Sequence, residues 1–221
     1  MRCMGADDDI RRLSAAARAT GDATGWFERL YAEAEDGAAE VPWDRPTATP
    51  LLADWAHQAP GGDGRTALVV GCGLGRDAEF VAGLGFATTA FDISATAVRV
   101  ARERHPGSPV DYVVADLLDP PVSWWRGFDL VVESNTVQAL PRSLRHRATT
   151  SVASLVAPGG TLLVLASAAS TPDGDGPPWP LTRDEVQAFA VDGLSVLSVE
   201  WIRAGDPPSD RWRAVLRAAT G

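Results

Sequence analysis

TALVVGCGLGRD, residues 66–77, joins a short apolar run to glycines at every second position and then to charged residues. A continuous run of this kind, with no polar alternation, is what a strand buried on both faces requires. Gly71, Gly73 and Gly75 let the backbone turn sharply behind it and approach a ligand with no Cβ in the way. A helix opening at the turn leaves its first amide groups free to meet a polar or anionic partner. Glycine turns also serve tight packing alone, so the spacing has to separate the ligand classes. Dinucleotide turns follow G-x-G-x-x-G; here Arg76 stands where the third glycine of that pattern belongs. Asp92 closes the next strand, at the surface of an open cleft, where a carboxylate accepts both hydroxyls of a ribose. NAD-binding proteins share that acid, so it supports a nucleoside without choosing one.

Outward from this turn, strands and helices alternate. ATTAF (87–91), VDYVVAD (110–116), FDLVVES (128–134) and TLLVLASA (161–168) read as strands. Between them, one helix runs from the glycine turn to about Gly83. SATAVRVARERH follows with Ser94 as N-cap, and PRSLRHRATTSVASLV is stopped by Pro158, Gly159 and Gly160. Such alternation is the mark of a parallel sheet with right-handed crossovers. SAASTPDGDGPPWP (167–180) is then a loop long enough to be functional. LTRDEVQAFAV returns to helix, with Thr182 and Glu185 completing a capping box. LSVLSVEWIRA and DRWRAVLRAAT, separated by GDPPS, read as an antiparallel hairpin at the sheet edge.

Ahead of the turn, residues 1–22 carry a short helix or stay mobile. Trp26, Phe27, Leu30 and Tyr31 have helical spacing, giving a helix at about 24–35. VPWDRPTATP (41–50) holds too many prolines for a regular element. A further helix begins near Pro50 with Leu51, Leu52 and Trp55 on its buried side, closed by Gly61, Gly62 and Gly64.

Composition narrows the partners. Arg supplies all 20 basic residues against 29 acidic ones, a net charge of -9. A phosphate backbone wants the opposite sign, so nucleic acid is disfavoured as substrate. Cys3 and Cys72 are the only cysteines, which fits a reducing compartment better than a disulfide framework. With no apolar leader and no span-length apolar run, the expectation is a cytoplasmic protein that meets no membrane. No obligate protein partner is evident, and a monomer is the default. His57, His105 and His146 suggest no zinc site and no convincing base, and no metal is expected.

VVGCGLGRD, FDIS, VVADL, FDLVVES and APGGTLLV, in that order, resemble the class I S-adenosylmethionine-dependent methyltransferases. The resemblance implies an α/β fold: a Rossmann-like seven-stranded, mostly parallel sheet in the order 3-2-1-4-5-7-6, with strand seven antiparallel and helices on both faces. It runs closest to the thiopurine S-methyltransferase and thiol or halide methyltransferase group, through GWFERLY and VPWDRPTATPLL ahead of the turn, GDGPPWPLTRDEV after strand five, and the terminal Arg211–Trp212. Tyr31 replaces that group's second tryptophan, and Arg45-Pro46 replaces the pair around its glycine.

What the resemblance implies is methyl transfer from S-adenosyl-L-methionine to a small-molecule acceptor, a thiol sulfur above an oxygen or nitrogen, with a noncatalytic adenosylmethionine- or adenosylhomocysteine-binding regulatory protein as the alternative of another class. Residues 1–50 become an N-terminal extension and active-site lid, and residues 51–221 the cofactor-binding domain. Gly71, Gly73 and Gly75 frame the methionine part of the cofactor, and Asp92 holds the ribose with Ile93 beside it. Asp116 accepts from the adenine amino group or caps a turn, with Leu117 next to it. Trp26 and Trp43 cover the pocket. Glu133, Ser134 and Asn135 end strand four at the ligand-binding edge of the sheet; Glu133 and Asn135 are the candidates to touch cofactor or acceptor, or they satisfy local backbone groups. Arg145 fits the place of a family arginine beside the substrate better than Arg142, against a solvated helix face for either.

Overall fold

A computed structural model describes residues 6–171, 176–204 and 209–220. The chain opens with two helices, α1 (Ala6–Ala19) and α2 (Gly25–Glu35), a loop, and α3 (Pro50–Ala56). There follow β1 (Thr66–Val70), α4 (Arg76–Gly83), β2 (Ala87–Asp92), α5 (Ala95–Arg104), β3 (Asp111–Val114), β4 (Phe128–Ser134), α6 (Arg142–Ser154) and β5 (Val156–Ser167). A short α7 (Arg183–Gln187) leads to β6 (Leu194–Ala204) and β7 (Ser209–Ala218). One seven-stranded sheet runs β3-β2-β1-β4-β5-β7-β6. Neighbours are parallel from β3 through to β5, while β7 is antiparallel to both β5 and β6. This is the expected order.

The apolar runs explain the burial. Leu68 and Val70 of β1 point into one core with Val131, Leu162, Val164 and the α6 residues Ala148 and Val152. Ala67 and Val69, on the alternate face, join Val132, Leu163, Leu52 of α3, Val81 of α4 and Val98 of α5. Each fully buried Val or Leu contributes roughly 1.5–3 kcal/mol, so a central strand with no polar face is held from both sides. Ser94 caps α5 as expected, its hydroxyl accepting from Ala97 N at 2.9 Å. The Thr182–Glu185 capping box of α7 is also formed, though that helix ends sooner than the apolar pattern suggested.

Two boundaries differ from the sequence reading. Pro158, Gly159 and Gly160 do not simply stop α6; they lie inside a longer β5, which shifts register against β4 between Phe128 and Leu130. A Cβ at Gly160 would stand 2.9 Å from Phe128 O, so only glycine lets the strands approach there. β3 stops at Val114, because Asp116 turns the chain by accepting from Leu118 N at 2.8 Å. The N-terminal stretch is helical in α1 and packs on α2, where Ile10, Leu13 and Ala17 meet Trp26 and Leu30. Cys3, residues 172–175 of the proline-rich loop and residues 205–208 of the hairpin turn lie outside the described residues. Within them, no helix is long and apolar enough to cross a membrane.

α2 is anchored to the sheet side by one carboxylate. Glu28 accepts from the Ser94 hydroxyl at 2.6 Å, the Thr96 hydroxyl at 2.6 Å and Thr96 N at 3.1 Å. It thereby binds the start of α5, two residues from Asp92. At the other end, Arg18 of α1 donates to Gly176 O at 3.3 Å and lies over the Trp179 ring.

Candidate cofactor and acceptor site

A cavity of about 360 Å³ opens at the carboxyl ends of the central strands. Its floor is Val70 to Leu74, Asp92 and Ile93, and Ser134 to Thr136; its roof is Trp26, Phe27 and the loop from Pro42 to Asp44. The strands end here because glycine follows β1 and a turn follows β4. The turn at Gly73 has φ 52, a left-handed conformation that glycine adopts without strain. A Cβ built there would stand 2.9 Å from the Tyr31 hydroxyl and 3.6 Å from the Trp43 ring. The absence of that Cβ keeps the floor open beneath the roof.

Gly75 departs from the expectation. It is left-handed, φ 91, and begins α4, yet it is not on the cavity wall. A Cβ there would run into the Tyr112 hydroxyl and the His105 ring, so this glycine is needed for packing behind the turn.

Asp92 lines the cavity but is only 6% exposed, not at the surface of an open cleft. Its Oδ2 accepts from Gly73 N and its Oδ1 from Ser94 N, both at 2.9 Å. Burial pushes its carboxyl up to about 6, against the backbone hydrogen bonds that favour the charged form. Each carboxylate oxygen has a second acceptor direction, so capacity remains for a diol. Asp116 lines the same wall with one oxygen on Leu118 N, and Leu117 and Ile93 lie beside it.

Of the two roof indoles, Trp26 is 2% exposed in the α1–α2 cluster and Trp43 is 37% exposed. Trp43 Nε1 donates to the Tyr31 hydroxyl at 2.7 Å, and its ring stands edge-on to Trp26. Tyr31 thus positions the loop indole over Gly73.

Glu133 and Arg145 are not brought to the cavity. Glu133 is fully buried under the turn it precedes, its Oε1 accepting from Thr136 N at 2.8 Å and Val137 N at 2.9 Å. Its Oε2 has no partner among the described residues, and burial raises the carboxyl to about 7. The bend after Ser134 brings the Thr136 and Val137 amides back onto this carboxylate and leaves it off the cavity wall. Arg145 is buried as well, paired with Glu185 and donating to Trp179 O at 2.7 Å. It does not line the cavity, and it is not a solvated helix face; it ties α6 to the segment after β5. Arg142 lies 3.6 Å from the same Glu185. Asn135 does reach the cavity, held left-handed at φ 62 with its amide on the Ser134 hydroxyl at 3.2 Å.

Other wall residues were not read as site residues in the sequence. Ile10 reaches the cavity from α1, Gln138 from the turn after β4, Ser167 and Arg211 from β5 and β7, and Pro177 and Pro178 from the loop between. Ser167 and Arg211 meet only through the sheet register, although the GDGPPWP stretch and Arg211–Trp212 were already among the motifs that carried the resemblance. No histidine lines the wall among the described residues.

Residues 67–160 match the family model of a methyltransferase domain, the part of the chain that holds Gly71, Gly73, Asp92 and Asp116. No curated protein matches the chain at a significant level. Several solved structures share the fold. One, concerned with the conversion of a disulfide bond into a thioacetal group during echinomycin biosynthesis, is 24% identical with TM-score 0.69, covering 87% of this chain and 92% of its own. The [4+2]-cyclase SpnF is 18% identical with TM-score 0.67, over 89% and 96%. The 1,6-didemethyltoxoflavin-N1-methyltransferase of Burkholderia thailandensis, with bound S-adenosylhomocysteine, is 15% identical with TM-score 0.66, over 95% and 90%.

Proposed function

We propose that this chain is an S-adenosylmethionine-dependent methyltransferase acting on a small molecule, with a thiol sulfur as the accepting atom. The observation that carries the reading is the shape of the cavity within the methyltransferase fold. It runs from Asp92 and Asp116, across the bare main chain at Gly71 and Gly73, to an aromatic roof of Trp26, Phe27 and Trp43. A nucleoside with an extended tail fits that sequence of surfaces: acceptors for a diol and an amino group, an open backbone floor, and an apolar cover.

In this reading Asp92 holds the ribose hydroxyls, and Asp116 receives the adenine amino group with the oxygen that Leu118 N leaves free. Ile93 and Leu117 flank the base. Bound there, S-adenosylmethionine supplies a sulfonium methyl carbon that is already electrophilic, so no covalent nucleophile is asked of the protein. The chain's own work is alignment and exclusion of water. Residues 1–50 act as the lid, Trp26 as its fixed part and Trp43 as its movable edge. Asn135 orients the acceptor from the end of β4.

The wall offers no histidine base among the described residues, and a thiol of pKa about 8.5 yields useful thiolate near neutrality without one. A protonated amine or an alcohol needs help in losing its proton. The likeness to a structure concerned with disulfide and thioacetal chemistry points the same way. The likeness to an N1-methyltransferase keeps a nitrogen acceptor as the second reading. A buried free thiol at Cys72 suits a reducing, cytoplasmic setting.

Radioactive methyl transfer from S-adenosylmethionine into a panel of thiols, phenols and amines tests the proposal. Label in thiols above all others is the expected result. Label confined to amines or phenols removes the thiol acceptor, and tight NAD binding with none of adenosylhomocysteine removes the whole reading.

A further inference from the structure

The cavity wall farthest from Asp92 carries a cluster whose unused hydrogen-bonding capacity is almost all donor. Ser167 ends β5, and Arg211 lies directly opposite it on β7. Gln138 Oε1 accepts from Ser167 N at 2.6 Å, and Gln138 Nε2 donates to the Ser167 hydroxyl oxygen at 3.3 Å. The Arg211 guanidinium donates to that same oxygen. A serine oxygen accepts twice, so both of its acceptor positions are filled and its proton is left to donate. The remaining Arg211 N–H groups and the second amide hydrogen of Gln138 are left as well.

Charge points the same way. Among the described residues no carboxylate pairs with Arg211. Arg45 lines the same cavity from the exposed loop of the roof, adding a second cation. Burial, and then the positive charge of Arg45, work against the protonated Arg211. A half-buried guanidinium beside another cation, without a counter-charge of its own, is a group that a bound anion relieves.

Place in the sheet separates the cluster from the nucleoside end. β4 and β5 stand between β1 and β7, so Arg211 is ~14 Å from the glycine turn by three strand spacings, on the side away from β2 and Asp92.

We propose that Arg211, Ser167 and Gln138, with Arg45 at the rim, form a carboxylate-binding subsite, and that the methyl acceptor is a small organic acid held by it. The word acceptor rests on the methyl-transfer reading; the anion site rests on its own donors. A guanidinium fork matches the two oxygens of a carboxylate. The rest of such a molecule then extends along the apolar roof toward Gly73.

The test uses the full chain loaded with adenosylhomocysteine and a matched pair of probes, mercaptophenylacetate and mercaptophenylacetamide. By calorimetry the acid should bind at least tenfold tighter than the amide. Arg211→Gln should abolish that preference and Ser167→Ala should reduce it, while both variants bind adenosylhomocysteine within about twofold of the parent, which also reports that they fold. In turnover, Arg211→Gln should raise KM for the acid at least tenfold and leave KM for the amide unchanged. Equal binding of acid and amide, or no detectable binding of the acid, overturns the subsite. So does a tenfold loss of adenosylhomocysteine affinity in Arg211→Gln, which would mean that the cluster holds the cofactor's own carboxylate. If the acid is preferred but neither thiol is methylated, the thiol reading fails and the subsite stands.

Discussion

Replacing Asp92 by Asn should change stability in opposite directions at low and high pH. Both carboxylate oxygens are engaged, one by Gly73 N and one by Ser94 N. Asn offers a single oxygen, so one of these buried N–H groups faces an amide nitrogen instead, at a cost of about 2 kcal/mol whatever the pH. Against this stands relief of a buried charge. The folded carboxyl titrates at about 6 rather than 3.8, so the folded state holds its proton where the unfolded chain has lost it. Stability is therefore fullest below 3.8 and is lost as pH rises through about 6. Integrated from pH 4.5 to pH 8, the loss is about 2 kcal/mol, and Asn does not share it. The variant should be less stable than the parent by about 1 kcal/mol at pH 4.5 and slightly more stable at pH 8. Urea unfolding at the two pH values measures the swing. Calorimetric titration at pH 8 should meanwhile show adenosylhomocysteine affinity falling by about 2–4 kcal/mol, from lost charge-assisted bonds to ribose. A stability difference that does not move with pH refutes the buried-charge argument, and unchanged affinity refutes the ribose contact.

Glu133→Gln tests the same logic away from the cavity. Its carboxyl is raised to about 7 from 4.5, so the parent loses stability as pH rises across that window. The unfolding free energy of the variant, measured in urea, should gain on the parent between pH 5 and pH 8 by at most about 3 kcal/mol; parallel pH profiles would sink the idea. The roof indoles should behave differently from each other. Trp26→Ala should cost about 3–5 kcal/mol of stability as a core truncation. Trp43→Ala should cost about 1 kcal/mol or less while reducing methyl transfer at least tenfold, since over a third of it is exposed and it lies over Gly73. Equal stability losses, or full turnover by the Trp43 variant, would contradict this division.

The identity of most elements was legible because apolar runs and turn residues alternate cleanly along residues 66–168, while the strand order followed from the resemblance to the class I methyltransferases and not from the periodicity. Asp92 and Asp116 were legible because strand ends in such a sheet share one edge. Side-chain direction was not. Glu133 and Asn135 are two residues apart at the end of β4, yet one is buried beneath the turn and the other faces the cavity. Which is which depends on how the chain bends after Ser134. Arg145 was misplaced for another reason: its partner Glu185 is 40 residues away, and no local pattern encodes that meeting. Gly75 shares its spacing with Gly71 and Gly73, but Tyr112 on β3 claims the space above it. Arg211 becomes a wall residue only through its register with Ser167.

The antiparallel insertion of β7 between β5 and β6 separates two kinds of change that evolution can make. Asp92, Asp116 and the open glycine floor lie within residues 67–160, at the carboxyl ends of the parallel strands β1 to β3. Ser167, Pro177, Pro178, Arg211 and the Pro42–Arg45 loop all lie outside that stretch. On the proposed subsite, substitutions in these outer segments should alter what the far end of the cavity selects while leaving β1 to β4 in place. A lineage built on this plan can exchange one acceptor for another while donor recognition stays constant, and its members should diverge fastest in the segments that flank the core on either side.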